Sequence, residues 1–427
     1  MKETFIEDLK KEETITLSAW VYRIRHQKNM CFLVLRDNTG IIQGVLKKNN
    51  VSGEEWELAQ KLYQESSVTV KGDVVEDERA PTGKELKITE ITGTPGEPFP
   101  IQENQSQEFL ADNRHLWLRS RKMTAVMKIR HTVFNAIRTY FENNNFYEFH
   151  APIFQATQSE GGSEVFNVPY FDGEMYLTQS WQLPAETGIF GLERIYTISP
   201  AFRAEKSRTS RHLTEFWMAE AEEAWCTFED VINHAESTVK KICEDLLSER
   251  KEELEYVDAD ITRIEKALSQ PFKRVTYTDV VNILKEKHDI HVEWGEDLGT
   301  VEEKTLIQDY DVPVIVTDYP KACKAFYMKE TPGNPDAVQG CDILIQGVGE
   351  IVGGSQREED KDKIIERLKE EGEDPEAYDF YLDTRRYGSV PHGGFGLGVE
   401  RVIQWAAGLD SVREAIPYPR TMTRRHP

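Results

Sequence analysis

Residues 201–216, AFRAEKSRTSRHLTEF, concentrate positive charge in a chain whose formal net charge is -23. They hold three arginines, one lysine and one histidine beside two glutamates. The preceding RIYTISPAF alternates as a strand does and FWMAEAE returns after it, which predicts a hairpin with a basic loop. Guanidinium groups on such a hairpin suit an anion with several oxygens, because arginine offers a rigid fork of donors. The alternative is a solvated surface with weak ion pairs.

Two further segments place glycines beside charged side chains. GGFGLGVERVIQWAAGL predicts a strand that turns through glycines into an amphipathic helix carrying Arg401. Tight strand–helix packing alone would also explain its glycines. CDILIQGVGEIVGGSQREED holds Asp342, Glu350 and Arg357, and paired carboxylates are ligands that Mg²⁺ prefers together with phosphates. The three segments together predict arginines and a metal ion around a polyphosphate.

The whole chain sets the class of protein to expect. With 427 residues, 39% hydrophobic and 30% charged, it is long enough for more than one packed core. No apolar run approaches the ~20 residues of a membrane span, and MKETFIEDLKKEE is too polar for a signal peptide, so we expect a cytoplasmic protein with no membrane partner. The five cysteines lack the spacing of zinc ligands or of a disulfide framework. The acidic composition argues against general coating of nucleic acid, although a local basic patch can still guide a polyanion.

Hydrophobic patterning divides the chain into a small and a large domain. Five short alternating runs between Thr14 and Ile91 predict a five-stranded barrel of the oligonucleotide-binding type. The Pro- and Gly-rich GTPGEPFPIQENQSQEF predicts a linker. Beyond it, helical spacing in MTAVMKIRHTVFNAIRTYFENNNF precedes FYEFHAPIF, which we interpret as a strand containing Pro152. The acidic stretch 358–388 is interpreted as solvated helix faces without chemistry.

Three of these segments resemble the motifs of one enzyme class. Pro152, the FRAE of residues 202–205 and the GFGLGVER of residues 394–401 resemble motifs 1, 2 and 3 of class II aminoacyl-tRNA synthetases, in the same order and spacing. With RHLTEF and GEIVGGSQRE, the resemblance extends over essentially the whole chain, to the aspartyl/asparaginyl subgroup. It implies an α+β protein: an OB-type anticodon-binding barrel over 1–98, a linker over 99–122 and, over 123–427, a class II catalytic domain with an antiparallel sheet flanked by helices. Motif 1 is then expected at the two-fold interface of a homodimer.

The resemblance implies that the polyanion is ATP. Arg203 would grip the α-phosphate, where charge develops as a carboxylate attacks, while Arg211 and His212 would reach the outer phosphates. Asp342 and Glu350 would hold Mg²⁺ on those phosphates. Because an amino-acid carboxylate is already a nucleophile, positioning and charge stabilisation would carry the reaction.

For the adenine, the resemblance implies a sandwich. Glu205 would hold the adenine amino group, Phe216 would stack on one face and Arg401 would cover the other. The catalytic residues implied are Arg203, Glu350 and Arg401. The full ATP-binding set implied is Arg203, Glu205, Arg211, His212, Phe216, Glu350, Gly398 and Arg401.

The amino-acid pocket is implied by QSEGGSEVF and LTQSWQLPAE. Glu160 resembles the carboxylate that receives the substrate ammonium, with Ser180 and Gln182 beside it. Arg357 resembles the guanidinium that meets the side-chain oxygen of the substrate. Aspartate and asparagine both offer such an oxygen, so these residues leave the choice open.

Two adjacent positions favour asparagine. Aspartyl enzymes usually carry a lysine where this chain has Ala185, so Arg357 is expected to be the only cation near the substrate side chain. Glu186, as in asparaginyl enzymes, would accept from an amide NH₂ and repel a second carboxylate. Archaeal-type aspartyl enzymes also usually carry a serine metal ligand where this chain has Gly353. A lysine from elsewhere filling the gap is the alternative.

In the barrel, the resemblance implies an anticodon-binding set. Phe32 would stack on a base and Gln43 would pair with a uracil edge. The local run RIRHQKN supplies phosphate attraction that the acidic whole lacks. A lone aromatic on a strand is otherwise more often a core residue. The set is Arg25, Phe32, Gln43 and Glu85.

The resemblance therefore implies an enzyme that activates asparagine with ATP and transfers it to the 3′ end of a tRNA. An aspartyl enzyme with relaxed tRNA choice is the nearest alternative. An asparagine synthetase on the same catalytic fold is another, and the barrel argues against it. A non-catalytic RNA-binding relative is disfavoured by the complete set of motif residues.

Overall fold

The computed structural model describes residues 2, 4–80, 82–158, 165–206, 209 and 211–427. It forms two compact units, Met1–Trp117 and Leu118–Pro427. The division falls inside the predicted linker, which also contains two short helices, Gln107–Asp112 and Arg114–Trp117, so the predicted domain bounds stay a prediction. No helix among the described residues combines the length and apolarity that crossing a membrane requires.

The amino-terminal unit is a closed barrel of five strands, as the sequence predicts. The strands are β1 (Thr14–His26), β2 (Met30–Arg36), β3 (Ile41–Lys47), β4 (Ser67–Glu76) and β5 (Lys84–Thr94), in the order β1-β2-β3-β5-β4. Every second side chain points inward, where aliphatic residues such as Leu17, Leu33 and Leu46 are fully buried. The helices of this unit are α1 (Gly53–Lys61), α2 (Gln107–Asp112) and α3 (Arg114–Trp117).

The second unit is built on a large mixed sheet. Its strands, with those of a smaller sheet, are β6 (Tyr147–Glu148), β7 (Phe154–Gln155), β8 (Asn167–Tyr170), β9 (Gly173–Leu177), β10 (Arg194–Phe202), β11 (Glu215–Ala224), β12 (Lys273–Thr276), β13 (Val314–Pro320), β14 (Glu330–Thr331), β15 (Asn334–Ile345), β16 (Gly349–Gln356) and β17 (His392–Gly398). The large sheet runs β12-β13-β15-β16-β17-β11-β10-β6 with β14 beside β15, and the small one runs β7-β9-β8. The centre is antiparallel, as predicted, but the outer pairs β12/β13 and β10/β6 are parallel.

Helices flank the large sheet. They are α4 (Arg121–Asn143), α5 (Gln182–Leu192), α6 (Phe228–Glu249), α7 (Lys251–Tyr256), α8 (Ile261–Ser269), α9 (Tyr277–His288), α10 (Thr300–Ile307), α11 (Lys361–Glu370), α12 (Asp379–Arg386) and α13 (Val399–Ala406). Buried apolar side chains of α4, α6 and α13 form the main core with the sheet. Helix α6 begins with a capping box formed by Thr227 and Asp230.

One predicted strand is wrong. FYEFHAPIF forms two separate two-residue strands, β6 and β7, and Pro152 lies between them rather than within a strand. Proline has no N–H to donate to a ladder, so the chain leaves the sheet there.

Candidate active site

Alternation along β11 decides which side chains face the cleft. Ala219 and Ala221 pack into the core with α4 and α6. Met218, Glu220 and Glu222 line a cavity of about 910 Å³. The strand thus presents two carboxylates to the cleft while its alanines hold the helices close on the opposite side.

Glycines of β17 make room for these side chains. A Cβ on Gly394 would lie 2.1 Å from the carbonyl oxygen of Ala221 and 2.4 Å from Cδ of Glu222. A Cβ on Gly396 would lie 2.6 Å from Cε of Met218. Gly394 is therefore required by the close approach of β11. Gly396 lines both cavities and Gly354 lines the larger one, and these two form the glycine floor of the cleft.

A second cavity, of about 240 Å³, adjoins the first. Arg203, Met218, Asp297, Glu350 and Gly396 line both cavities, so the two form one continuous cleft. The smaller cavity is lined by every residue predicted to bind ATP, namely Arg203, Glu205, Arg211, His212, Phe216, Glu350, Gly398 and Arg401. The structure thus brings this set together, and the role of each member stays a prediction.

The β10–β11 hairpin positions the basic residues. Arg203 follows the end of β10, its N–H donates to the carbonyl oxygen of Thr214 at 3.1 Å, and its guanidinium lies 5.6 Å from the ring of Phe216. Arg211 donates through NH1 to Glu303 Oε2 at 2.7 Å. The buried Nε of Arg211 has no hydrogen-bond partner among the described residues, which leaves a donor for an anion.

His212 and Arg401 complete the walls of the smaller cavity. His212 Nε2 lies 3.6 Å from Glu205 Oε2. Burial and, secondly, the charge of Arg401 lower the pKa of His212, so a neutral imidazole is favoured at neutral pH. Arg401, on the first turn of α13, donates to the carbonyl oxygen of Glu350 at 2.9 Å and to its Oε2 at 3.1 Å.

The two predicted metal ligands converge over a glycine. A Cβ on Gly353 would lie 3.3 Å from Glu350 Oε1 and 3.4 Å from Asp342 Oδ1, so the bare glycine leaves a space between the two carboxylates. Burial and the charge of Glu350 raise the pKa of Asp342, against the opposing effect of Lys324, whose Nζ lies 2.9 Å from Asp342 Oδ2. No local sequence pattern indicates Lys324. In the described ranges, no group of three or more His, Cys, Asp or Glu side chains converges as a metal site.

The larger cavity holds the predicted amino-acid residues in part. Ser180, Gln182 and Arg357 line it, whereas Glu160 lies outside the described residues. Glu186 is fully buried and does not line the cavity. The structure therefore places Glu186 behind the pocket wall, where it reaches Gln182 at 2.9 Å instead of facing the open cleft.

Arg357 is not the only guanidinium beside Glu186. Arg385 of α12, fully buried, donates to Glu186 Oε2 at 2.7 Å. It belongs to the stretch 358–388, which the sequence pattern assigned to solvated helix faces. Hydrophobic periodicity cannot identify a charged residue that is buried against a distant partner, 199 positions away in the chain.

Arg357 has a carboxylate partner that the sequence analysis missed. Its Nε donates to Glu222 Oε2 at 3.2 Å, and its NH2 donates to Glu222 Oε1. Burial, with the nearby Glu186 and Glu220, raises the pKa of Glu222 to about 7 despite Arg357. The larger cavity thus contains a guanidinium and a carboxylate side by side, which can donate to a carbonyl oxygen and accept from an NH₂ group.

The predicted anticodon residues form two cross-strand pairs on the outside of the barrel. Arg25 lies opposite Phe32, with its guanidinium 4.6 Å from the ring centre. Gln43 lies opposite Glu85 and donates through Nε2 to Glu85 Oε2 at 3.0 Å. Phe32 is partly exposed between buried neighbours, so it is not a core residue. An aromatic face beside a guanidinium and an amide can stack and hydrogen-bond an unpaired base.

Comparisons with known proteins agree with this arrangement. Residues 106–422 match the family described as tRNA synthetases class II (D, K and N), and residues 15–92 match an OB-fold nucleic acid binding domain. The asparagine–tRNA ligase of Pyrococcus abyssi is 44% identical, with 100% of both chains covered. That of Symbiobacterium thermophilum is 42% identical, with 97% of both chains covered.

Solved structures also match the chain over its full length. Asparaginyl-tRNA synthetase from Pyrococcus horikoshii, complexed with asparaginyl-adenylate, matches with a TM-score of 0.97 and 44% identity over 100% of both chains. An aspartyl-tRNA synthetase from Entamoeba histolytica matches with a TM-score of 0.86 and 25% identity, over 100% of this chain and 93% of the other. With a family match over most of its length and full-length relatives above 40% identity, the chain belongs to the class II tRNA synthetases of the D, K and N group.

Proposed function

We propose that the protein is an asparagine–tRNA ligase. A carboxylate oxygen of asparagine attacks the α-phosphorus of ATP, pyrophosphate leaves, and the acyl group of the adenylate then passes to the 3′-terminal ribose hydroxyl of tRNA(Asn). The observation that carries this proposal is the continuous cleft, in which Arg203 lies where the predicted ATP half meets the amino-acid half. A fixed guanidinium at that junction stabilises the charge that develops on the α-phosphate.

The choice of asparagine is supported by charge matching in the larger cavity. Arg357 is paired with Glu222, and Arg385 is paired with Glu186, so each buried guanidinium already has a carboxylate. A neutral amide can accept from Arg357 and donate to Glu222. A substrate carboxylate beside Arg357 would meet the charge of Glu222, which already balances Arg357, and this repulsion costs binding energy in a buried site.

Wild-type protein should catalyse ATP–pyrophosphate exchange with asparagine far better than with aspartate at pH 8, where Glu222 is ionised. A site that leaves a polar partner unmatched can discriminate by ~10⁴ in kcat/KM. The measurement is exchange with each amino acid, followed by charging of tRNA(Asn) and tRNA(Asp) transcripts. Better activation of aspartate would replace the proposal by the relaxed aspartyl enzyme, and activation without any tRNA charging would favour the asparagine synthetase.

Mg²⁺ fits the space beside Gly353. Asp342 Oδ1 and Glu350 Oε1 both border that space, and they are hard oxygen ligands next to the predicted phosphate site. When bound with ATP, Mg²⁺ would neutralise phosphate charge. The residues of the chain itself orient the nucleotide: Arg203 and Arg211 through charge, and Phe216 through its ring.

A homodimer through the motif 1 region is supported by exposed apolar side chains. Phe171 is 94% exposed, and it packs edge-on to Tyr170 with ring centres 4.8 Å apart. Phe154, whose ring centre lies 5.7 Å from that of Tyr170, is also exposed, as are Tyr147 and Ile153 close to it in the sequence. Clustered exposed aromatics of this kind are typical of protein interfaces. The mass of the protein in solution tests this part, and we place the enzyme in the cytoplasm, where charged tRNA is used.

The tRNA step has its own prediction. Phe32→Ala should weaken charging of tRNA(Asn) by roughly tenfold, because a stacked base contributes ~1–3 kcal/mol, while pyrophosphate exchange stays at the wild-type rate. Lys71→Ala, which removes an exposed ion pair with Glu90 elsewhere on the barrel, is the matched control. Equal losses in charging and exchange for Phe32→Ala would mean that the ring supports the fold of the barrel.

A further inference from the structure

A buried polar group lies behind the larger cavity. Glu186 of α5 accepts through Oε2 from the hydroxyl of Tyr381 at 2.7 Å and from NH2 of Arg385 at 2.7 Å, and Nε2 of His392 lies 3.0 Å from the same oxygen. The side chains of Glu186, Arg385 and His392 are all 0% exposed. None of Tyr381, Arg385 and His392 lines the cleft, so their polar atoms act on substrate only through another side chain.

Glu186 Oε1 connects this group to the pocket. It accepts from Nε2 of Gln182 at 2.9 Å and lies 3.9 Å from Nε of Arg357, and both of these side chains line the cavity. An ionised carboxylate can only accept, so Gln182 must give its NH₂ group to Glu186 and keep its carbonyl oxygen for another donor. The ionised state of Glu186 thus determines that the carbonyl oxygen of Gln182, and not its NH₂ group, is left for another partner.

The same carboxylate is shared between two cations. Burial acts to raise the pKa of Glu186, but Arg385, His392 and Arg357 together hold it well below its usual range. Glu186 therefore stays ionised at every pH at which the protein works. If Arg385 were neutral, Arg357 would be the nearest guanidinium left to balance Glu186, in competition with Glu222.

We propose that Arg385 is a positioning residue for amino-acid choice: by balancing Glu186 from behind the wall, it leaves Arg357 to Glu222 and to the substrate side chain. This inference rests on the proposed function and deepens it. Arg385 and Glu186 then act as a pair of opposite charges. Arg385 raises the electrostatic potential at the end of the pocket that receives the substrate side chain, and Glu186 lowers it. If these side chains only held α5, α12 and β17 together, replacing them would not shift the amino-acid preference in a direction set by their charge.

The direction of each charge's effect on amino-acid preference can be measured from pyrophosphate exchange, as the ratio of kcat/KM for aspartate to kcat/KM for asparagine. Glu186→Gln removes one negative charge and frees the Gln182 amide to donate, so the ratio should rise by about tenfold or more. Adding Arg385→Gln in that background removes one positive charge and should bring the ratio back to within about threefold of wild type. Measuring this second step in the Glu186→Gln background keeps aspartate activation strong enough to follow.

Two more variants separate charge from packing. Tyr381→Phe removes one hydrogen bond to Glu186 without changing its charge, so the ratio should stay within about twofold of wild type. Arg385→Lys keeps the charge and should also keep the ratio, even if both rates fall. If Glu186→Gln/Arg385→Gln does not fold, Glu186→Gln and Arg385→Lys decide the matter by themselves.

The proposal is overturned if Glu186→Gln lowers activation of both amino acids equally, or if Arg385→Lys shifts the ratio as strongly as Glu186→Gln does. Either result would reduce the buried group to a structural link. Wild-type protein that fails to prefer asparagine would contradict the proposed function itself. Wild-type protein that prefers asparagine, with an unmoved ratio in Glu186→Gln, would contradict only this inference.

Discussion

Arg203→Ala should lower the rate of asparagine-dependent pyrophosphate exchange by on the order of a hundredfold or more, because it removes a fixed donor from the place where charge develops. Arg203 lines both cavities, whereas Arg211 lines only the smaller one, so Arg203 is the better placed of these two arginines for the junction. The loss should appear mainly in kcat, since the interaction strengthens as the α-phosphate is attacked.

The fold should survive this change. The hairpin is held by main-chain bonds between β10 and β11, and Arg203 contributes to it through its own N–H. Lys206→Ala, an exposed position in the same basic loop, is the matched control and should leave exchange unchanged. Normal exchange in folded Arg203→Ala would contradict the phosphate assignment of the hairpin.

Arg357→Met should have a still larger effect on asparagine activation, on the order of a thousandfold in kcat/KM, because the substrate amide loses its donor and Glu222 loses its cation. The measurement is exchange over a range of asparagine concentrations. Restoring activity by adding Glu222→Gln is not expected, since the donor to the substrate oxygen is still missing. Activity near wild type in Arg357→Met would exclude this guanidinium from the substrate site.

The same variant predicts a pH dependence of stability. Glu222 already has its pKa raised to about 7 in the presence of Arg357, and removal of the cation should raise it further. A carboxyl whose pKa is higher in the folded state stabilises the fold while it is protonated, and this contribution is lost as pH rises through that pKa. Arg357→Met should therefore melt closer to wild type at pH 6 than at pH 8, and adding Glu222→Gln should remove the loss of stability that Glu222 causes in this variant between pH 6 and pH 8.

How far the site could be predicted follows from how it is assembled. The predicted ATP half comes from short segments in which the candidate residues lie a few positions apart, as in residues 203–216 and 398–401, and every predicted member lines one cavity. The barrel could be predicted equally well, because the alternation of apolar and polar residues along each strand shows directly which face is buried.

The amino-acid end was harder because it is assembled from distant segments. Glu222 is one of several glutamates in β11, and only its pairing with Arg357, 135 positions away, distinguishes it from the others. Arg385 follows the acidic helix pattern of its neighbours, and its burial depends on where α12 packs against α5. Ala185 and Glu186 favoured asparagine by resemblance, but the structure gives Glu186 a different geometry from the predicted one, behind the pocket instead of in it.

The glycine floor of the cleft has a consequence for inhibitors. Gly354 lines the larger cavity, and a Cβ on it would lie 2.8 Å from Cβ of Phe395 and 3.0 Å from the carbonyl oxygen of Gly394, so a larger residue there would have to move β17. A compound that lies flat on this surface contacts main chain, whose atoms stay the same whatever substitutions the gene acquires. Resistance would have to arise from substitutions of side chains at the rim of the cleft, such as Phe216. A compound can gain selectivity by contacting these side chains, and it can lose binding when they are substituted.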